Sequence, residues 1–300
     1  MRLLSQCLLL ITSLIYSLNG HAQTAWLSTP ESVAQFREQV ESFKPEQSRF
    51  ELFAVKDMGV ELDGRTIPIR IYNPSEASSK PVIIYVHGAC WVAGSLDSHD
   101  EVSRYLAKQS DAMVIAIDYR LAPEFQYPAG HNDVYDTVKW IWDNADSLNI
   151  DKTQFAIAGE STGAYFTAAT TLRSLREKDG PKIAFQLLVF AALDGGGSSW
   201  TECKAQYFKH PDDAKSDYGS PLWAQGLVGM PPTYNVFGQY EISRAEQELF
   251  IRKLTEQGVS TEHFMVEGVE HDVVNWLRVT GDLAAHKKAI EFIKLGFRKQ

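Results

Sequence analysis

The chain has 300 residues, of which 44% are hydrophobic and 22% are charged, a balance that is ordinary for a folded globular protein. Its formal net charge of −9 at pH 7 argues against a nucleic-acid partner, because nucleic acid is bound by a basic surface. The same charge argues against docking on anionic membrane lipids. Beyond the N-terminus, no apolar run is long enough to cross a bilayer, so we expect no integral membrane span in the mature chain.

The N-terminus has the three-part layout of a secretory signal peptide. Arg2 supplies the positive charge, the stretch from Leu3 to Leu18 is largely apolar and uncharged, and Gly20 and Ala22 are the small residues of a cleavage site. This layout predicts a signal peptide over residues 1–22 and export to the periplasm or out of the cell. The alternative is an uncleaved anchor helix, for which the apolar run is short.

Cysteine is sparse in the mature chain, which keeps Cys90 and Cys203 after Cys7 leaves with the signal peptide. An oxidising compartment permits a disulfide, but a separation of 113 positions has no spacing signature of a bridge or a metal site. We therefore expect two free thiols, with a disulfide as the alternative. The sequence contains no H-E-x-x-H metalloprotease motif, no C-x-x-C motif and no Walker-type nucleotide-binding loop. We therefore expect neither a metal nor an organic cofactor.

The first element of the mature chain is a predicted helix over residues 26–44. It begins with a capping residue and a proline within residues 28–31. Its apolar face follows at a spacing of three to four residues: Val33, Phe36, Val40 and Phe43. Because this helix precedes every strand signal, residues 23–50 are assigned to N-terminal cap helices.

Strand and helix signals alternate over residues 51–300. Two strands that can form a hairpin are followed by short apolar runs typical of buried strands, at 50–60, 66–72, 82–86, 113–117, 155–158, 185–190, 234–237 and 263–266. Helical stretches lie between the later strands, at 98–109, 131–145, 162–178, 243–257 and 281–296. The alternation predicts an α/β fold with a mostly parallel, eight-stranded sheet and helices on both faces. A glycine-rich segment at about 194–220 interrupts it and is predicted to complete a small helical cap.

Ser161 stands at the centre of the clearest motif. The strand at 155–158 is followed by Gly159-Glu160-Ser161-Thr162-Gly163 and then by a helix, which is the G-x-S-x-G pattern in strand–turn–helix context. In that context a sharp turn exposes the serine hydroxyl, and the flanking glycines keep side chains out of a crowded space. The alternative is a serine that merely caps the helix.

A second loop, His87-Gly88-Ala89-Cys90-Trp91, follows the strand at 82–86. A loop at this place can direct backbone N–H groups at a substrate oxygen that becomes negatively charged in the transition state. The alternative is a turn with a structural histidine.

These two loops resemble the hormone-sensitive-lipase-like esterases, whose loop reads H-G-G-G-W/F and whose nucleophile motif reads G-D-S-A-G. The stretch from Asp118 to Glu124, which reads D-Y-R-L-A-P-E, matches another hallmark of that family. The resemblance extends from about residue 60 to residue 275 with the motifs in order. It implies the α/β-hydrolase fold and hydrolysis of small esters.

The resemblance also implies a catalytic set of Ser161, Glu241 and His271, in the α/β-hydrolase chain order. Glu241 stands where the family has its acid, and glutamate is able to orient a histidine in that role. Its alternative is a solvated glutamate at a helix start. Four other histidines are interpreted as surface groups: His99, His131, His210 and His286.

The oxyanion hole implied by the resemblance consists of the N–H groups of Ala89, Cys90 and Thr162, with Trp91 beside the substrate. Ala89 and Cys90 replace family glycines. We expect both to keep negative φ, because positive φ is sterically unfavourable for residues that have a Cβ. Positive φ at both, with the N–H groups turned away from Ser161, would argue against an efficient esterase. The β-branched Thr162 predicts a narrow site and hence short acyl chains.

The sequence thus predicts a serine carboxylesterase that hydrolyses small, short-acyl-chain esters through a Ser-His-Glu triad. One alternative is a non-catalytic ligand-binding protein on the same fold, because a fold does not fix a function. Another is a hydrolase or acyltransferase that acts on a different acyl bond, since the same triad serves several acyl transfers.

Overall fold

The computed structural model describes residues 27–76, 79–281 and 283–299. The predicted signal peptide, residues 1–22, lies outside the described residues. Among the helices of the described part of the chain, we find none that is both long enough and apolar enough to span a membrane.

The described residues form one eight-stranded sheet in the order β1-β2-β4-β3-β5-β6-β7-β8. β1 pairs antiparallel with β2, and β2 with β4, while all later neighbours are parallel. The strands are β1 Ala54–Leu62, β2 Arg65–Asn73, β3 Lys80–Val86, β4 Met113–Ile117, β5 Ile150–Glu160, β6 Gln186–Val189, β7 Thr233–Gly238 and β8 Thr261–Val266. The predicted fold class is confirmed.

Eight α-helices are present in the described ranges: α1 Pro30–Glu41, α2 Asp100–Ser110, α3 Ala129–Asp143, α4 Thr162–Arg176, α5 Thr201–Tyr207, α6 Arg244–Glu256, α7 Val273–Arg278 and α8 Ala284–Arg298. The helix predicted at 26–44 begins later because Thr29 is its cap: the Thr29 hydroxyl accepts the Ser32 N–H at 3.1 Å. It ends at Glu41, so the described part of the 23–50 segment contains one helix.

The core follows from the apolar strands at the centre of the sheet. Every residue of β4 is buried, and in β3 the run from Val82 to Val86 is at most 1% exposed. Strands buried on both faces have this continuous apolar character because helices cover both sides of a parallel sheet.

The segment at 194–220 lies between β6 and β7 and contains α5. It contacts the N-terminal segment, where the Gln206 side chain donates to the Leu27 carbonyl. α1 in turn contacts the sheet-edge loops, because the Arg37 side chain donates to the carbonyls of Val92 at 2.7 Å and Ala122 at 2.9 Å. The two segments predicted to form the cap are therefore in contact, and the exact domain bounds stay a prediction.

The expectation of two free thiols is wrong. A disulfide joins Cys90 to Cys203 in α5, and their Cα atoms are 5.0 Å apart. Spacing along the chain gave no sign of it because the fold, and not the local sequence, brings α5 over the loop that follows β3.

Candidate active site

The carboxyl ends of four parallel strands bring the predicted site residues to one edge of the sheet. β3 leads to the loop at His87, β5 to Ser161, β7 to Glu241 and β8 to His271. Because β3 and β5 are direct neighbours, with Val86 paired to Gly159, the two sequence motifs lie side by side. In open α/β sheets this edge is where ligands bind.

Ser161 is held in a strained turn between β5 and α4, with φ 53° and ψ −119°. A Cβ on Gly159 would lie 2.5 Å from the Gly163 backbone, and a Cβ on Gly163 would lie 2.0 Å from the Val86 carbonyl oxygen. Only glycine fits at either position. We call residues 159–163 the elbow. The Ser161 side chain makes no capping hydrogen bond to α4, so the reading as a helix cap is wrong.

Ser161, His271 and Glu241 form one hydrogen-bonded chain. His271 Nε2 lies 3.0 Å from Ser161 Oγ, and His271 Nδ1 lies 2.9 Å from Glu241 Oε1. When Nδ1 carries the proton, it donates to the carboxylate and leaves Nε2 free to accept from the serine hydroxyl. The geometry is that of a nucleophile, a base and a group that orients the base.

The Glu241 side chain is fully buried, so the alternative of a solvated glutamate is wrong. Its carboxylate also accepts the Gly238 N–H at 3.2 Å and the Ser243 hydroxyl at 2.9 Å. A buried carboxylate needs such partners, because an unpaired buried charge is strongly disfavoured. These contacts fix the carboxylate in position against His271.

We call residues 87–91 the oxyanion loop. The expectation of negative φ is wrong, because φ is 82° at Ala89, 60° at Cys90 and 60° at Trp91. The loop keeps a backbone that glycine adopts without penalty, although all three residues have a Cβ. Such a conformation costs about 1–3 kcal/mol per residue and persists only where the surrounding structure compensates.

The three predicted oxyanion donors have no protein acceptor among the residues that the structure describes. Within the described residues, the N–H groups of Ala89, Cys90 and Thr162 donate no hydrogen bond to another protein group. They therefore remain available to a substrate oxygen. The Thr162 hydroxyl, in contrast, accepts the Trp91 N–H at 3.4 Å and thereby ties the elbow to the oxyanion loop.

The segment at 194–220, which we call the cap, covers Trp91 and approaches His271. The Trp91 ring is 1% exposed and stacks on Tyr207 of α5, with centroids 5.0 Å apart. At the start of α5, the ring of Trp200 lies 4.5 Å from that of His271. The predicted contact between Trp91 and a substrate stays a prediction, since the ring is packed against the cap.

Sequence reasoning missed the role of Glu160. Its carboxylate is 1% exposed, accepts the Gly88 N–H at 2.6 Å and the Tyr85 hydroxyl, and lies 2.9 Å from His99 Nε2. It connects the elbow to the start of the oxyanion loop. A charged residue directly before the nucleophile, at the end of an apolar strand, was the signal that could have identified it.

The interpretation of His99, His131 and His286 as surface groups is wrong, because each is at most 2% exposed, whereas His210 is exposed. Helical position alone does not separate an inner face from an outer one. His87 is also buried and stacks on Tyr119 with centroids 4.3 Å apart. Burial, reinforced by the nearby His99, lowers the pKa of His87 to about 3, so its ring is neutral and structural.

Comparison with known proteins identifies the family to which this chain belongs. Residues 83–275 match the family model described as the alpha/beta hydrolase fold. The chain belongs to the hormone-sensitive-lipase-like family of α/β-hydrolases. An arylesterase of Saccharolobus solfataricus is 32% identical over 231 residues, which cover 72% of this chain and 76% of that protein. The expected family resemblance is confirmed.

Two further relatives carry esterase names. A carboxylesterase of Mycobacterium tuberculosis is 32% identical over 265 residues, covering 79% of this chain and 83% of its own. An esterase structure from Pyrobaculum calidifontis is 30% identical with a TM-score of 0.80, covering 89% of this chain and 93% of its own. The predicted enzyme class, a carboxylic ester hydrolase, is confirmed by these relatives.

Proposed function

We propose that this hydrolase cleaves small, short-acyl-chain carboxylic esters with Ser161 as nucleophile, His271 as general base and acid, and Glu241 as the group that orients His271. The observation that carries the proposal is the continuous hydrogen-bonded chain from the buried Glu241 carboxylate through His271 to the Ser161 hydroxyl. A non-catalytic binding protein has no need of that chain.

The proposed acylation forms the bond from Ser161 Oγ to the carbonyl carbon, breaks the ester C–O bond, and passes the serine proton through His271 to the leaving alcohol. His271 Nε2 takes the Ser161 proton as Oγ attacks the ester carbonyl carbon. Glu241 stabilises the histidine cation by accepting from Nδ1. His271 then protonates the leaving alcohol, and water repeats the sequence to release the acid and restore Ser161.

The N–H groups of Ala89, Cys90 and Thr162 are the proposed donors to the oxyanion. Positive φ at Ala89 and Cys90 does not count against this role, because both amides remain without a protein acceptor within the described residues. Donors that are already oriented stabilise the developing charge without reorganisation, and loss of one in a known hydrolase costs about 10²–10³ in rate.

A preference for short acyl chains is supported by the covering of the site. Ser161 is only 8% exposed, and Trp200 of the cap packs against His271. The Thr162 hydroxyl is turned to the Trp91 N–H, and the narrowing expected from its β-branched side chain stays a prediction. The small substrate that we propose is thus selected by the cap.

The proposed activity is tested with p-nitrophenyl acetate, butyrate and decanoate on the wild-type protein and on Ser161→Ala. We expect kcat to fall about 10⁴–10⁶-fold in the variant, as for other serine nucleophiles. Background rates in both proteins would overturn the esterase proposal, and faster turnover of decanoate than of acetate would overturn the short-chain preference. A fluorophosphonate that fails to label Ser161 would favour a binding protein instead.

We further propose that the protein is exported, with cleavage before Gln23. The Cys90–Cys203 disulfide supports this, because disulfides persist in oxidising compartments. Fractionation of a bacterial host that expresses the full chain, followed by N-terminal sequencing of the product, tests it. Uncleaved protein in the cytoplasm would contradict export.

A further inference from the structure

We infer that the Cys90–Cys203 disulfide positions the oxyanion loop, so that efficient ester hydrolysis depends on a covalent bond between this loop and the cap. The inference rests on the proposed function, because it assigns a means of support to the oxyanion donors named there. Cys90 contributes a backbone donor, and its side chain acts as a positioning group through Cys203.

The oxyanion loop needs support because three consecutive residues with side chains occupy positive φ. Two of them, Ala89 and Cys90, stand where the family has glycine. A residue with a Cβ relaxes from this region toward negative φ unless its surroundings prevent it. Relaxation at residue 90 rotates the peptide planes on both sides of it and moves the N–H groups of the proposed hole.

The neighbours of Cys90 are each held by their own contacts. The Ala89 carbonyl accepts the N–H groups of Val92 at 3.2 Å and Ala93 at 3.1 Å. Trp91 stacks on Tyr207, donates to the Thr162 hydroxyl and accepts the Ala122 N–H at 2.9 Å through its carbonyl.

Cys90 differs from both neighbours. In the part of the chain that the structure describes, its backbone N–H and carbonyl form no hydrogen bond with the protein. The bond from its Sγ to Cys203 is the tie that remains. The residue at the middle of the positive-φ run is thus held through its side chain.

The other end of the bond is well anchored. Cys203 is 1% exposed and lies in α5, between Trp200 against His271 and Tyr207 on Trp91. One short helix therefore touches the general base, the loop tryptophan and, covalently, the residue that offers an oxyanion donor. A covalent tie to such a helix fixes residue 90 relative to the elbow.

The decisive test removes the disulfide and, in one variant, gives residue 90 the conformational freedom of glycine. Cys203→Ala, the double variant Cys90→Ala with Cys203→Ala, and the double variant Cys90→Gly with Cys203→Ala all lack the disulfide. They differ in whether residue 90 adopts positive φ at little cost, which only glycine does. The matched pair is therefore alanine against glycine at position 90 in an otherwise identical protein.

We expect kcat for p-nitrophenyl acetate to fall about 10–100-fold in the first two variants, with KM nearly unchanged. This is at most the lower limit for a lost oxyanion donor, because the N–H groups remain and only their positions relax. The glycine variant is expected to recover kcat to within about threefold of wild type, because glycine needs no bond to hold the loop. Melting temperatures are measured alongside, and all rates are taken where every protein is folded. A bond that merely stabilises the fold predicts equal kcat with alanine and with glycine at position 90, because every protein is folded under the assay conditions.

A second measurement does not require the variants to fold. The folded wild type is treated with dithiothreitol until two further thiols per chain are counted. The Sγ–Sγ bond then breaks, each sulfur gains a hydrogen, and the dithiol loses two electrons and two protons as it becomes a cyclic disulfide. We expect kcat to fall as the thiols appear and to return on reoxidation.

Full kcat in Cys203→Ala, full kcat in the reduced wild type, or failure of glycine to rescue would each overturn the inference. So would two free thiols in protein exported and purified without reductant. Ser161→Ala separates this from the proposed function: if that variant hydrolyses the ester as fast as wild type, the esterase proposal itself fails, whatever the disulfide does.

Discussion

Two loops meet at Ser161, and both hold residues with side chains at positive φ. In the elbow, Ser161 has φ 53° and is flanked by glycines, because a Cβ at Gly163 would lie 2.0 Å from a backbone oxygen. In the oxyanion loop, all three residues with positive φ carry side chains. In the elbow, glycines two positions to either side make room for a single residue at positive φ, whereas the oxyanion loop holds three such residues in succession.

The difference shows where each conformation is specified. The elbow depends on residues 159–163 and the strand beside them, so a five-residue pattern encodes it. The oxyanion loop depends on groups far along the chain, namely Glu160 under Gly88, Tyr207 against Trp91 and Cys203 bonded to Cys90. Its conformation is therefore encoded by the topology that brings these groups together.

The largest effect is expected when a Cβ is placed in the elbow. Gly163→Ala puts a methyl group 2.0 Å from the Val86 carbonyl oxygen and forces a shift of about 1 Å or more, for which a loss in kcat/KM of at least about 10²-fold is expected. The control is Gly196→Ala, where a Cβ meets its nearest atoms only at 3.7 Å and beyond. Steady-state kinetics of both variants check this, and equal activity would mean that the elbow tolerates side chains.

The sequence predicted what local patterns encode. The apolar strand runs and the G-x-S-x-G pattern gave the fold class and the elbow, and the family resemblance implied that His271 lies next to Ser161. It did not predict positive φ at Ala89 and Cys90 or the bond to Cys203, because both depend on where α5 lies. His99, which precedes α2, and His131 in α3 were wrongly assigned to the surface, since polar side chains buried by tertiary packing leave no periodic signal.

The second-largest loss of activity is expected for substitution of Glu160, which joins the two loops. Glu160→Ala removes the acceptor of the Gly88 N–H and the Tyr85 hydroxyl, and each buried unpaired donor costs about 1–3 kcal/mol. We expect a lower free energy of unfolding together with a loss of kcat, because the start of the oxyanion loop is released. Glu160→Gln keeps an acceptor oxygen and should lose less in both. Denaturant titration and kinetics that rank glutamine below alanine would contradict this coupling.

Acid is expected to weaken the aromatic packing behind the oxyanion loop. His131 stacks on Tyr218 and faces Tyr127, whose ring contacts Tyr207. Burial, with a smaller effect of the Arg173 charge, lowers the pKa of His131 to about 3. The neutral ring thus stabilises the fold above the unfolded-state pKa of about 6.5, and this contribution is lost as pH falls from there toward 3.

At pH 5 the loss amounts to about 2 kcal/mol for this group, from 1.36 kcal/mol per pH unit below about 6.5. His131→Phe keeps an aromatic ring and removes the titration. The drop in melting temperature between pH 7 and pH 5 should therefore be smaller in this variant than in the wild type. If the melting temperature falls equally in the variant and in the wild type between pH 7 and pH 5, His131 does not carry the acid sensitivity.

The smallest effect separates the oxyanion loop from a regular helix by the sign of the change in stability. Ala89→Gly relieves a residue held at φ 82°, so it should raise stability by about 1 kcal/mol, after the added freedom of the unfolded chain is subtracted. The same substitution in helix α2, Ala107→Gly, should lower stability by about 1 kcal/mol, because glycine is disfavoured inside a helix. Denaturant unfolding of the two variants gives both values. If Ala89→Gly destabilises as much as Ala107→Gly, the positive φ of residue 89 carries no strain, and the oxyanion loop would need none of the long-range ties that distinguish it from the elbow.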